Sequence, residues 1–129
     1  MVSAMGESGR TAGRILVVED EPTLASLLKR YLARLGYEVD VCSSAAEALE
    51  QALDGKYRLV VADRSLPDMA GEELLSRLCE ADAQLRAILL SGYLFELSSL
   101  PARCHERVRF LQKPFLPEAL AALVSELST

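Results

Sequence analysis

Residues 59–71 read Leu-Val-Val-Ala-Asp-Arg-Ser-Leu-Pro-Asp-Met-Ala-Gly, and they carry the clearest signal of the chain's architecture. Its first four residues are apolar and predict a buried strand, with Asp63 at the strand's end. A helix is predicted from about Gly71 to Ala81, because leucines recur there at helical spacing. A short apolar strand that ends in an acid and leads into a helix is typical of a parallel α/β sheet.

The same unit recurs along the whole chain. Strands are predicted at 15–18, 38–42, 59–62, 87–90 and 108–112, and helices at 22–35, 45–53, 71–81 and 117–127. The weakly patterned stretch from Tyr93 to Glu106 is interrupted by Pro101, so its helix is expected to be short, irregular or displaced. Five β/α alternations predict a parallel sheet with helices on both faces.

Composition narrows the class of protein. The chain has 129 residues, which suits one domain, and its formal net charge of -5 argues against direct binding to nucleic acid. The three cysteines are Cys42, Cys79 and Cys104, and their odd number and wide spacing predict reduced thiols in a cytosolic protein. Because no apolar run approaches the roughly 18 residues of a membrane span, we expect no membrane insertion.

Residues 1–13 differ from the rest of the chain, since they are small, polar and rich in glycine. They lack the apolar core of a secretory signal and predict a disordered tail or linker. The folded domain is therefore predicted to span residues 14–129.

Polar signals follow four of the predicted strands. They are Glu19 with Asp20, then Asp63, Ser91, and Lys113 with Pro114. The carboxyl ends of parallel strands meet along one edge of the sheet, so these residues are expected to share one crevice.

The order of these motifs resembles the receiver domain of two-component response regulators. An acidic pair ends the first strand, Asp63 ends the third, and Pro67 and Gly71 follow it. Ser91 and Gly92 end the fourth strand, and Lys113-Pro114-Phe115 ends the fifth. The resemblance covers residues 14 to about 127 and implies a flavodoxin-like (βα)5 fold with strand order 2-1-3-4-5.

The resemblance gives the convergent residues a chemistry. Carboxylates that share a crevice repel one another unless a cation is present, and hard oxygen ligands suit Mg²⁺. Glu19, Asp20 and Asp63 are therefore predicted ligands, and the resemblance adds the backbone carbonyl of Ser65. Asp63 is predicted to accept a phosphoryl group from a phosphohistidine, with Lys113 and Ser91 binding the phosphoryl oxygens.

Further roles follow from the resemblance. Phe110 occupies the family's switch position, so Ser91 and Phe110 are expected to move together on phosphorylation. Pro114 is expected to follow a cis peptide bond, as in the family's Lys-Pro turn. Gly92, Pro67 and Gly71 are assigned structural roles, Gly92 so that phosphate and a partner can approach. Tyr93 is expected to shield the phosphoryl group and slow its hydrolysis, whereas Arg64 could reach the site or the partner kinase.

The predicted function is that of a cytoplasmic signalling domain that catalyses its own phosphorylation and dephosphorylation, and not of an enzyme with a separate substrate. The implied partner is a sensor histidine kinase or a phosphotransfer protein, and dimerisation on phosphorylation stays open. The alternative is a degenerate receiver that acts as an interaction module, although that class is expected to lose the Asp or the Lys. A Mg²⁺-dependent phosphohydrolase is disfavoured, because such enzymes need a second acid two residues after the nucleophile and Ser65 stands at that position. A flavin-binding domain of the same fold is also disfavoured, because the acidic residues Glu19 to Glu21 would repel the flavin phosphate. A receiver of a hybrid histidine kinase remains compatible with the motifs.

Overall fold

The computed structural model describes residues 14–53, 55–94 and 100–128. Five strands form one parallel sheet: β1 (Arg14–Val18), β2 (Glu38–Cys42), β3 (Leu59–Asp63), β4 (Arg86–Ser91) and β5 (Val108–Gln112). Within these ranges the helices are α1 (Pro22–Arg34), α2 (Ala45–Ala52), α3 (Gly71–Ala81) and α4 (Pro117–Ser128). The predicted tail, residues 1–13, lies outside the described residues.

The strands run in the order β2-β1-β3-β4-β5, and every neighbouring pair is parallel. This confirms the flavodoxin-like order 2-1-3-4-5 and the position of β2 as an edge strand. The bounds of the described strands and helices agree with the predicted ones to within one residue. Asp63 and Ser91 are the last residues of their strands, and Glu19 directly follows β1.

Two apolar layers cover the sheet, one on each face. Alternate strand residues such as Leu16, Val60 and Leu89 pack with α2 and α3. Their neighbours Val17, Val61 and Ile88 pack with α1 and α4. Strands buried on both faces have no polar alternation, which is why they read as continuous apolar runs.

The stretch between β4 and β5 contains a short 3-10 turn, Ala102–Cys104. Residues 95–99 are outside the described part of the chain, so the expectation of a short or irregular helix is confirmed only for the turn. Leu100 and Cys104 are buried there and belong to the layer with α2 and α3. Among the helices of the described ranges, none combines the length and apolar character that a membrane crossing requires.

Apolar spacing in the sequence does not predict the burial of every side chain correctly. Leu27, Leu35 and Leu53 lie at helical spacing from buried residues of the same segments, yet they are 54%, 48% and 75% exposed. Leu27 lies beside the buried stripe of α1, and Leu35 and Leu53 are the C-cap residues that directly follow α1 and α2. Tyr57, which no pattern singled out, is almost completely buried before β3, and its hydroxyl donates to Asp40 at 2.6 Å.

Candidate phosphoacceptor site

Three carboxylates come together at the carboxyl edge of the sheet. Oxygen atoms of Glu19, Asp20 and Asp63 all lie within 4.8 Å of one another. Glu19 and Asp20 follow β1, Asp63 ends β3, and these two strands are hydrogen-bonded neighbours. Glu19 and Asp63 are buried at 3% and 6% exposure, whereas Asp20 faces solvent. The predicted convergence of the acids is therefore present in the fold.

Lys113 brings a positive charge into this cluster from β5. Its Nζ atom lies 2.7 Å from Asp63 Oδ1 and 3.6 Å from Glu19 Oε1. Burial lowers the pKa of Lys113, but the hydrogen bond to Asp63 and the charges of Glu19 and Asp63 outweigh it, so the pKa is raised overall. Lys113 is therefore held as an ammonium ion.

Glu19 remains incompletely neutralised despite this lysine. Its Oε2 atom accepts a hydrogen bond from the Glu21 N–H at 3.1 Å. Its Oε1 atom is buried and has no hydrogen-bond partner among the described residues. Burial raises the pKa of Glu19 and the charge of Asp63 adds to the rise, while the Glu21 N–H opposes it. A buried carboxylate oxygen without a hydrogen bond, beside two further carboxylates, fits a hard cation such as Mg²⁺.

The loop between β3 and α3, residues 64–70, packs closely against Asp63. The Ser65 N–H donates to Asp63 Oδ2 at 3.1 Å, and Ser65 forms an isolated antiparallel bridge with Ala70. The Gly71 N–H donates to the Arg64 carbonyl at 2.7 Å. A Cβ atom at Gly71 would overlap the Asp63 carbonyl oxygen and lie 2.7 Å from Arg64 Cα, so only glycine fits this position. Pro67 lies exposed in the same loop.

Ser91 lies buried at the end of β4, the strand between β3, which ends in Asp63, and β5, which Lys113 follows. Its hydroxyl accepts a hydrogen bond from the Tyr93 N–H at 3.0 Å, and its carbonyl accepts one from the Lys113 N–H at 2.7 Å. Alternation along β4 and β5 puts Ser91 and Phe110 on the same face of the sheet, one register step apart. Phe110 is half-buried at that position.

Pro114 and Gly92 lie close to the ends of β5 and β4, and the backbone and packing at these two positions differ. The Lys113–Pro114 peptide bond is cis, as the resemblance implied. A Cβ atom added to Gly92 would meet no described atom within 4 Å. Packing against the described residues therefore does not require glycine at position 92, and its assigned role in the approach of phosphate or a partner stays a prediction.

Sequence reasoning left open whether Arg64 reaches the site or the partner kinase, and it assigned no role to Asp68. The Arg64 Nε–H lies 3.1 and 3.2 Å from the two carboxylate oxygens of Glu72 in the first turn of α3. Ala70 precedes that helix and provides no side-chain cap, because alanine has no side-chain acceptor. Asp68 accepts hydrogen bonds from the N–H groups of Ala45 and Ala46, each at 2.9 Å. These two bonds lower the pKa of Asp68. The sequence signal that could have indicated a role for Asp68 is its position as an acid directly after the loop proline Pro67.

The comparisons with known proteins agree with this fold and site. Residues 15–125 match the response regulator receiver domain family, and the chain belongs to that family. Its members are signalling domains of two-component systems, which bind Mg²⁺ at an acidic pocket and interact with sensor kinases or phosphotransfer proteins. This chain carries an acidic cluster of Glu19, Asp20 and Asp63 at the carboxyl edge of its sheet.

Three similar proteins illustrate the breadth of the match. The sensor kinase CckA of Brucella abortus is 34% identical over 115 residues, which are 88% of this chain and 12% of that protein. A CheY-like receiver domain protein from Methanospirillum hungatei has 28% identity and a TM-score of 0.81, with 90% and 93% of the two chains covered. Response regulator TrrA from Thermotoga maritima, solved in complex with Mg(2+)-BeF, has 33% identity and a TM-score of 0.79, with 89% and 98% covered. The chain spans 12 to 35% of the length of the curated relatives YkoG, NtrC and CckA.

Proposed function

We propose that this chain is a phosphoacceptor receiver domain in which Asp63 accepts a phosphoryl group from a phosphohistidine of a sensor kinase or phosphotransfer protein. The observation that carries the proposal is the buried Asp63 carboxylate with the Lys113 ammonium 2.7 Å away and two further acids within 4.8 Å. A buried carboxylate paired with a lysine is also compatible with a purely structural role. The additional acids and the buried, unbonded oxygen of Glu19 favour the chemical role.

In the transfer step, an Asp63 carboxylate oxygen forms a bond to phosphorus while the bond from phosphorus to the histidine nitrogen breaks. The electron pair of that bond leaves with the imidazole, which then takes up a proton. Charge spreads over the phosphoryl oxygens in the transition state, so the protein contributes mainly position and positive charge. Lys113 supplies a fixed ammonium beside the reacting oxygen, and the Ser91 hydroxyl is the donor for a second phosphoryl oxygen.

Glu19, Asp20, Asp63 and the Ser65 carbonyl are the proposed ligands for Mg²⁺. When bound there, the cation neutralises charge on the carboxylate and phosphoryl oxygens. The Ser65 N–H, which donates to Asp63 Oδ2 at 3.1 Å, holds the carboxylate in one orientation. Residues 14–129 would form the folded receiver and residues 1–13 a tail or linker, with the whole acting in the cytoplasm and without direct contact to nucleic acid.

Phosphorylation would be read out through Ser91 and Phe110. Turning the Ser91 hydroxyl toward the phosphoryl group breaks its hydrogen bond with the Tyr93 N–H and frees space on the sheet face that Phe110 shares. Phe110 would rotate into that space, which changes the surface around β5 and favours partner binding or dimerisation. A structure of the fluoroberyllate complex with Phe110 in its original rotamer would rule out this coupling.

The direct test is the intact mass of the protein after incubation with acetyl phosphate, with and without Mg²⁺. Wild type is expected to gain one phosphoryl group when Mg²⁺ is present, and Asp63→Asn none. Asp82→Asn, at the opposite end of the sheet, is the matched control and is expected to behave as wild type. If wild type gains nothing and also fails to bind fluoroberyllate, the domain is an interaction module and the proposal is wrong.

A further inference from the structure

We propose that Asp68 is a positioning residue of this site, which ties loop 64–70 to the first turn of α2 and so keeps the Ser65 backbone against Asp63. The inference rests on the proposed function of Asp63 and names a residue that sets its geometry. Asp68 itself lies on the surface and is not one of the three clustered acids. Its effect would therefore pass through the loop.

The evidence begins with the contacts of the Asp68 carboxylate. Oδ1 accepts from the Ala45 N–H and Oδ2 from the Ala46 N–H, both at 2.9 Å, across 23 and 22 residues of sequence. A carboxylate with both oxygens on the free N–H groups at the start of a helix is bound by charge-assisted hydrogen bonds and by the helix dipole. The loop tip is thus bound at two atoms rather than one.

Helix α2 carries caps of its own, so it does not need Asp68 in order to begin at Ala45. The Ser44 hydroxyl accepts from the Glu47 N–H at 3.2 Å, and the Glu47 carboxylate accepts from the Ser43 N–H at 2.9 Å. The first bond caps the Glu47 N–H from the N-cap residue Ser44, and the second ties the residue before the cap to the same glutamate. The contact with Asp68 therefore serves the loop at least as much as it serves the helix.

The path from Asp68 to the nucleophile is short. Asp68 lies between Ser65 and Ala70, which are joined by a backbone bridge, and the Ser65 N–H holds Asp63 Oδ2. Helix α3 gives the loop no side-chain cap at Ala70. Leu66 and Met69 pack against the apolar layer, so removal of Asp68 is expected to loosen the loop without unfolding the domain.

The contact between Asp68 and α2 also connects the backbone around Asp63 to the backbone around Glu19. The Glu19 N–H donates to the Cys42 carbonyl at 3.0 Å, and Cys42 ends the strand that leads into α2. Asp68 attaches the Asp63 loop to the start of that helix. Asp63 and Glu19 are therefore positioned against one common element, in addition to the sheet itself.

The first test is amide hydrogen exchange at Ser65, measured by NMR without Mg²⁺ or phosphate. Asp68→Ala is expected to lose protection at Ser65, and Asp68→Asn, which keeps one acceptor oxygen, to lose part of it. Asp82→Ala removes a carboxylate that accepts from the Gln84 N–H at 2.9 Å, far from the site, and should leave Ser65 unchanged. Unchanged exchange at Ser65 in Asp68→Ala would overturn the proposal, whether or not the protein is a phosphoacceptor.

The second test is Mg²⁺ affinity, followed through the amide shifts of the site during titration with MgCl₂. Asp68→Ala is expected to bind Mg²⁺ about tenfold more weakly, the lower end of the effect of removing a group that orients metal ligands. Ala46→Pro removes one donor from the opposite side of the contact, at a first-turn position that tolerates proline. It should weaken binding in the same direction, and the double variant should be no weaker than Asp68→Ala. Full additivity of the two changes would show that Asp68 does not act through α2, which would refute the proposal.

Discussion

The Nζ atom of Lys113 lies 2.7 Å from Oδ1 of Asp63, although the two residues are carried by strands that are not neighbours. Strand β4 lies between β3 and β5, and its last residue, Ser91, binds the Lys113 N–H through its carbonyl. The lysine therefore reaches over the end of β4 to the acid. The contact between Lys113 and Asp63 forms only if β3, β4 and β5 end at the same level. It therefore depends on the register of these three strands.

Replacing Lys113 by methionine, which has a similar length and no charge, should destabilise the metal-free protein. Two buried carboxylates lose their cation, which should reduce the free energy of unfolding at neutral pH by about 1–3 kcal/mol. Urea denaturation measures this difference. Lys29→Met, on the exposed side of α1, is the control and should stay within about 0.5 kcal/mol of wild type. Equal stabilities of the two variants would contradict the role of Lys113 as counter-ion.

Glu19→Gln should stabilise the metal-free protein at neutral pH. Burial raises the pKa of Glu19 above its unfolded value, so the folded state binds this proton more readily. Burying the charged carboxylate of Glu19 therefore reduces the free energy of unfolding by its full amount when the pH is above the pKa of Glu19 in the folded protein. This loss of stability disappears as the pH falls below the pKa of Glu19 in the unfolded chain. Urea denaturation at several pH values should show an advantage of Glu19→Gln that shrinks toward acid pH.

Addition of Mg²⁺ should reduce the advantage of Glu19→Gln over wild type. A ligand that binds the folded state stabilises it, so MgCl₂ should raise the melting temperature of wild type more than that of Glu19→Gln. Glu50→Gln, an exposed position on α2, should respond to both pH and Mg²⁺ like wild type. An advantage of Glu19→Gln that grows toward acid pH would contradict the sign argued from burial.

Gly71→Ala should destabilise the domain and disturb Asp63. The new Cβ atom meets the Asp63 carbonyl and Arg64 Cα, which are backbone atoms and cannot turn away. Overpacking of this kind costs about 1–3 kcal/mol of unfolding free energy. Gly92→Ala is the matched control, because its Cβ meets open space, and it should change stability by less than about 0.5 kcal/mol. Urea denaturation of both variants, with NMR shifts of Asp63, checks the comparison.

The three thiols should be inert in the native protein. Burial raises the pKa values of Cys42 and Cys79 to about 12, and the third thiol, that of Cys104, is buried as well. Since the thiolate is the reactive form, Ellman's reagent at mildly alkaline pH should label the native protein slowly and all three cysteines once urea unfolds it. Rapid labelling of a native cysteine would show that the apolar layers open locally.

Much of the fold was predictable because its signals are local. Apolar runs such as 59–62 and the helical spacing of leucines in α3 depend only on repeats of two or 3.6 residues. The order of the polar residues at strand ends was sufficient to nominate Asp63, Lys113 and the acidic pair, since parallel strands share an edge. The described structure confirms that these residues meet, whereas their chemical roles stay proposals.

Local patterns in the chain were enough to locate the strands and helices of the described ranges and the polar groups at the strand ends. Tertiary structure alone decided that Arg64 pairs with Glu72, that Asp68 binds the start of α2, and that one oxygen of Glu19 is left without a hydrogen bond. It also decided that Tyr57 is buried while Leu53 is exposed. The physical reason is that such pairings join segments up to 23 residues apart. Their partners are chosen by how helices and loops pack on the sheet, and no periodicity in the chain encodes that packing.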